Sequence, residues 1–208
     1  NTIAHELIHH WFGDLVTAES WSNLSMNESF ANYSEYLWQE YKYGKDEADY
    51  TFMVEQESYF IEAAEEPKNL IRYYYHDQED MFDSHSYNKG AAVLHMLRSY
   101  IGDDAFFEGL KIYLHENAYQ SVEVAQLRLA FEQVTGEDLN WFFDQWFFFA
   151  GHPELEVRHK YENDTLTLTV SQIQTEEDMP VFQLPVFIDI WKGDELASFP
   201  IIVNEAFE

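Results

Sequence analysis

The chain has 208 residues, of which 46% are hydrophobic and 18% aromatic, a load of rings that can bury a sizeable core and is too apolar for a disordered chain. Lys and Arg total 11 against 39 Asp and Glu, a formal net charge of −28, so the surface repels phosphate backbones and anionic lipid and argues against nucleic acid as a partner. There is no cysteine, which removes disulfides, thiolate nucleophiles and Cys-ligated metal; any metal must be held by His, Asp or Glu.

The first three-quarters of the chain reads as helices. Ile3, Leu7, Ile8, Trp11, Phe12, Leu15 and Val16 recur at helical spacing. A second helix is predicted from near Ser25 to Tyr43, stopped by Gly44, and a third from around Asp46 that fades by Pro67. Residues 67–84 read as irregular and hold Arg72-Tyr73-Tyr74-Tyr75. A helix near Tyr87 to Ile101 stops at Gly102, and the next opens at Asp103 or Asp104 and ends near Ala118. Ser121 is predicted to cap a helix that ends at Gly136, and the last helix covers roughly Leu139 to Ala150.

From Glu154 the period changes to alternation, with Leu155, Val157, Leu166, Leu168 and Val170 facing one way. Asn163-Asp164 and Gly193-Asp194 read as hairpin turns. The expected division is therefore a helical part, residues 1–151, and the start of an antiparallel β domain, residues 152–208. The chain enters a motif at once and stops after few strands, so it is expected to be a segment of something longer. No apolar run approaches the about 18 residues that span a bilayer, and neither compartment nor oligomeric state is legible.

His5-Glu6-Leu7-Ile8-His9 is an HExxH motif. On a helix, positions i and i+4 lie on one face, so both imidazoles can reach one ion, while Glu6 projects beside them toward a water on that ion. Alone, the motif reads as readily as a surface helix rich in His and Glu. Catalytic zinc wants three protein ligands and one open position. Glu28, with 18 residues between it and His9, supplies the third if a turn and an antiparallel helix fill the gap. By residue type alone, a helix-start carboxylate favoured by the helix dipole is the commoner reading of Glu28.

The run His5 to Thr17, then Trp21, then Asn27-Glu28-Ser29-Phe30-Ala31 and Glu35 closely resembles the M1 family of zinc aminopeptidases, of the gluzincin group that includes membrane alanyl aminopeptidase. The family pattern is HELxHxWFGNLVT, a Trp, then NEGFAxYxE. Tyr87-Asn88-Lys89-Gly90 resembles its YxKG segment, and Trp146 to Pro153 its W-x-x-x-x-G-x-P exit. The resemblance implies a mainly α chain: the helical half of a thermolysin-like catalytic domain, followed by the start of an antiparallel β-sandwich. It implies a zinc ion on His5, His9 and Glu28, with Glu6 as general base and Tyr87 as the tyrosine that hydrogen-bonds the oxyanion. The implied substrates are peptides with a free amino terminus.

Several positions depart from the pattern. Ser29 stands where the family usually has Gly, Ser25-Met26 where it has Trp-Leu, and His10 and Asp14 where Gln and Asn are common; none removes a catalytic group. The family's GxMEN loop, which holds the substrate's amino terminus, lies upstream of HExxH and is expected before Asn1. Glu35, seven residues after Glu28 on the same helix face, is a candidate to orient a ligating histidine. His85 is a substrate-side candidate or a loop histidine. Two alternatives stand beside the aminopeptidase reading: relatives that hydrolyse an epoxide in a lipid mediator, and a fragment or scaffold that binds zinc without catalysis.

Overall fold

In a computed structural model, which describes residues 1–174 and 179–204, the chain divides between Ala150 and Gly151 into a helical unit and a strand unit. The helical unit runs α1 (Thr2–Ile8), β1 (Val16–Ala18), α2 (Ser25–Tyr43), α3 (Lys45–Glu65), α4 (Gly90–Ile101), α5 (Asp103–Glu116), β2 (Gln120–Val122), α6 (Val124–Thr135) and α7 (Asn140–Phe147). No helix among the described residues is long and apolar enough to cross a membrane.

The first helix is much shorter than its apolar spacing predicts. Regular α1 stops at Ile8, with His9 still in helical geometry at its end (φ −59, ψ −20). The chain then widens: the amides of Asp14, Leu15 and Val16 bond the carbonyls of His9, His10 and Trp11, five residues back. Gly13 permits this with φ 150; a Cβ there would lie 2.9 Å from the His9 carbonyl oxygen, closer than real contacts allow. The freed segment becomes β1, which pairs in parallel with β2, Val16 opposite Gln120. Ser121 therefore lies in a strand. Glu123 caps α6 in its place, its amide donating to Gln126 Oε1 at 3.0 Å in a capping box.

α2 supplies the centre of the core. Its buried stripe includes Met26, Phe30, Ala31, Tyr33 and Tyr36. Phe30 stacks on Phe12 with centroids 4.0 Å apart, and burying each such ring contributes roughly 2–3 kcal/mol. α4 lies against α2, where the Tyr33 hydroxyl meets His95 Nδ1 at 3.1 Å. Arg98 then bridges α2 and α5, bonding Glu40 and Asp103 at 2.8 Å each. Phe106 of α5 packs on Phe131 of α6, centroids 5.5 Å apart. α7 ends at Phe147, short of the predicted Ala150. The segment between α3 and α4 is irregular as expected, apart from a 3-10 turn at Gln78–Met81 and a π-helical turn at His85–Lys89.

The strand unit consists of two antiparallel hairpins, β3 (Leu155–Glu162) with β4 (Thr165–Gln172) and β5 (Leu184–Lys192) with β6 (Glu195–Val203). Their turns fall where the sequence places them: Asn163 and Asp164 have φ 50 and 60, and Gly193 φ 64. Gln172 joins the hairpins by its side chain, accepting from the Phe182 amide at 2.8 Å and donating to the Phe182 carbonyl at 2.6 Å. Of the expected β domain, residues 175–178 and 205–208 lie outside the described residues.

Candidate metal centre

α1 and the start of α2 bring His5, His9 and Glu28 together. His5 Nε2 lies 3.4 Å and His9 Nε2 3.5 Å from the same carboxylate oxygen, Glu28 Oε2. The two rings meet edge to face with centroids 5.2 Å apart. The turn and strand between them return the chain so that Glu28, in the first turn of α2, faces back at α1.

The opposite nitrogen of each ring is already committed. His9 Nδ1 lies 3.0 Å from the Phe12 carbonyl oxygen, which can only accept, so Nδ1 carries the proton and Nε2 keeps its lone pair. His5 Nδ1 lies 3.0 Å from Glu35 Oε1, an acceptor when ionised, with the same result. Glu35 thus orients a histidine of the cluster, as its spacing predicts.

The donor set fits a zinc ion. Glu28 Oε2 is buried and has no hydrogen-bond partner, a costly state unless a cation meets it. Tetrahedral zinc with ligands at ~2.0–2.1 Å separates its ligand atoms by about 3.3 Å, close to the two distances measured. Without metal the two imidazoles hold protons instead, beside an ionised Glu28. Hydrogen bonding to Glu28, then to Glu35, raises the His5 pKa to about 9. His9 is raised by Glu28 as well. Burial pushes the Glu28 carboxyl up, but the facing His5 and His9 imidazoles overcome it and hold it at about 2.

Tyr87 and Glu6 flank the cluster. Tyr87 sits in the π-helical turn, half-buried, its ring parallel to that of His5 with centroids 5.9 Å apart. Burial first, then the Glu28 charge and hydrogen bond and the Glu6 charge, raise its hydroxyl above the ordinary tyrosine value, so it stays protonated. Glu6 is exposed on α1 beside the histidines.

His85 is not on the substrate side. It is fully buried, edge-on to Tyr59 at 5.3 Å, and neither ring nitrogen has a hydrogen-bond partner. It stands near Glu62 and Asp83 in a second group of ligand-type atoms. There Arg72 forks onto both Asp83 oxygens and Lys68 lies 3.6 Å away, so that carboxylate is already paired. Of the departures from the family pattern, Ser25, Met26 and Ser29 are buried, while His10 and Asp14 form an exposed pair at 3.3 Å. Lys89, a residue type expected at the surface, is a buried group. It is 3% exposed, donates to the Phe149 carbonyl at 3.2 Å, and burial, then the Arg72 charge, lowers its pKa to about 7.

Comparison with known proteins bears on this geometry. The sequence profile of the Peptidase family M1 domain matches residues 1–146. Tricorn protease-interacting factor F2 of Thermoplasma volcanium is 34% identical over 197 residues, 92% of this chain and 25% of that protein. Aminopeptidase N of Streptomyces lividans is 36% identical, over 75% of this chain and 19% of its own length. The chain thus spans a quarter or less of these curated relatives. Among solved structures, aminopeptidase A of Legionella pneumophila, crystallised with aspartic acid, superposes with a TM-score of 0.77 over 98% of this chain and 23% of that one; at 21% identity the likeness concerns the fold. A substituted M1 zinc metallopeptidase from Deinococcus radiodurans, bound to a Tyr-Ser-Ala substrate, gives a TM-score of 0.59 at 28% identity, over 70% of this chain and 32% of that one.

Proposed function

Because this chain belongs to peptidase family M1, we propose that its protein is a zinc-dependent aminopeptidase, with His5, His9 and Glu28 as metal ligands, Glu6 as general base and Tyr87 as oxyanion donor. The helical unit is then the C-terminal helical part of a thermolysin-like peptidase domain, and the strand unit the start of a β-sandwich domain. The observation that carries the reading is the convergence of the His5 and His9 Nε2 atoms on the buried Glu28 Oε2. The substrates are peptides with a free amino terminus, in keeping with the aminopeptidase relatives and the Tyr-Ser-Ala complex of the Deinococcus enzyme.

A zinc ion in this cradle would act as a Lewis acid on water and on the scissile carbonyl. The protein groups do the rest. Glu6, one residue from His5 and open to solvent, takes the proton of the attacking water and delivers it to the leaving amine. Tyr87, held protonated, donates a hydrogen bond where negative charge develops on the carbonyl oxygen; one such donor contributes roughly 3 kcal/mol to the barrier. Glu28, held ionised by its surroundings, would balance the ion's charge and fix its place on α2.

The experiment is metal analysis of purified protein together with peptidase assay of the full-length protein. The expected result is one zinc per chain and release of amino-terminal residues from short peptides; a protein with no zinc, or with zinc bound independently of His5, His9 and Glu28, overturns the reading.

A further inference from the structure

Tyr87 and Glu28 come from different elements, yet their side chains must meet over the same metal position. One hydrogen bond joins their immediate neighbours. Ser29, next to Glu28, donates from Oγ to the carbonyl of Ser86, next to Tyr87, at 2.7 Å. Both residues are buried, Ser29 2% and Ser86 0% exposed. The fit around this bond is close. A Cβ at Gly90, just past the turn, would fall 1.7 Å from Ser29 Oγ and 2.6 Å from its Cβ, so the serine occupies the space that Gly90 leaves open.

The other ties of the turn lead elsewhere. Ser86 Oγ donates to the Met81 carbonyl at 2.7 Å and accepts from Arg72 at 2.8 Å. The Ser84 amide bonds Glu62 and Asn88 bonds the Glu55 carbonyl, both on α3. Lys89 reaches Phe149. These hold the turn on the scaffold away from α2; besides the contact of Tyr87 with Glu28 itself, the Ser29 bond refers the backbone of the turn to α2. A π-helical turn is a sparsely used backbone form, often found at functional sites, and here Ser29 ties its backbone to α2.

Resting on the peptidase reading above, we infer that Ser29 is a positioning residue that sets the Tyr87 hydroxyl against Glu28 through the Ser86 carbonyl. It touches no substrate. Its effect is on the alignment of a donor with the developing oxyanion, where a displacement well under 1 Å already lowers the rate.

The test uses the full-length protein with Ser29→Ala, which keeps the Cβ and loses the donor. We expect kcat to fall about tenfold, with KM within about twofold and zinc content unchanged. Ser29→Gly combined with Gly90→Ala refills the space without restoring the donor, because the Gly90 Cβ would lie 3.6 Å from the remaining Cα. This double variant should recover thermal stability but keep the low kcat. A fluorotyrosine incorporated at position 87 reads the ring environment without any turnover, and its 19F resonance should shift or broaden in Ser29→Ala. Parental kcat in Ser29→Ala, recovery of kcat in the double variant, or a fall in kcat matched by zinc loss overturns the inference. If the full-length protein cleaves no peptide, the peptidase reading fails and the fluorine resonance alone decides: an unchanged signal in Ser29→Ala overturns the positioning role, a changed one supports it.

Discussion

Glu35 Oε1 lies 3.0 Å from His5 Nδ1 although thirty residues separate them. The two helices are therefore tied by a carboxylate–imidazole pair as well as by the convergence of His5 and His9 on Glu28. Substituting Glu35 by Ala removes the acceptor that fixes the His5 tautomer. Zinc affinity is expected to drop about 10- to 100-fold, measured by competition with a chelator of known Kd. Affinity unchanged within error would mean His5 is oriented by packing alone.

Glu6→Gln separates binding from chemistry. The amide cannot take a proton, and Glu6 is not among the three residues that converge. Zinc content should stay at the parental value while kcat falls by about two to four orders of magnitude. Retained activity in a zinc-replete sample would remove Glu6 from the mechanism.

Gly13→Ala acts at a distance on His9. Its Cβ would press on the His9 carbonyl at 2.9 Å in a backbone conformation with φ 150. The expected cost exceeds about 1 kcal/mol, together with weaker zinc binding, because the turn that presents the Phe12 carbonyl to His9 Nδ1 must shift. Denaturant unfolding and zinc titration of the same sample check both parts; a neutral substitution would show that the turn has slack.

His85 gives the fold an acid limit. Burial, opposed by the Asp83 and Glu62 charges, lowers its pKa below 6.5 in the folded state. A depressed folded value means that the unfolded chain binds the proton first. The stability is fully present above pH 6.5 and is lost as pH falls below it, through the folded value. Thermal melts between pH 7.5 and 5 should show this slope, and His85→Leu should flatten it. An identical slope in the variant would assign the acid limb to other groups.

Much of this was legible where the signal is local. Gly44 and Gly102 mark the ends of α2 and α4 because a glycine breaks helical geometry without strain, and Asn163-Asp164 marks a hairpin because both residues tolerate positive φ. The His5–His9 pair was legible because it depends on one helical turn. The spacing of Glu28 suggested a ligand, but residue type pointed the other way, and only the companion motifs of a known family tipped the balance. What stayed hidden depends on distant partners. β1 and β2 are three residues each and pair across more than a hundred residues, so neither has a pattern of its own. The apolar run through Val16 reads as one helix because Phe12 and Val16 are core residues in either conformation. Ser121 reads as a cap because its pairing with Thr17 of β1 leaves no local mark. His85, as a residue type, carries no mark of full burial.

α1 buries none of its side chains; Ile3 is 85% and Leu7 54% exposed. A helix of seven residues is too short to hold itself together in water, and within the described residues its side-chain ties to α2 run through His5 and His9. If zinc sits on His5, His9 and Glu28 as proposed, its occupancy becomes a local order parameter. Stripping the ion will quicken amide hydrogen exchange in residues 2–9 and leave the middle of α2 nearly untouched, so that the first sign of demetallation is a loosened segment in an otherwise folded molecule.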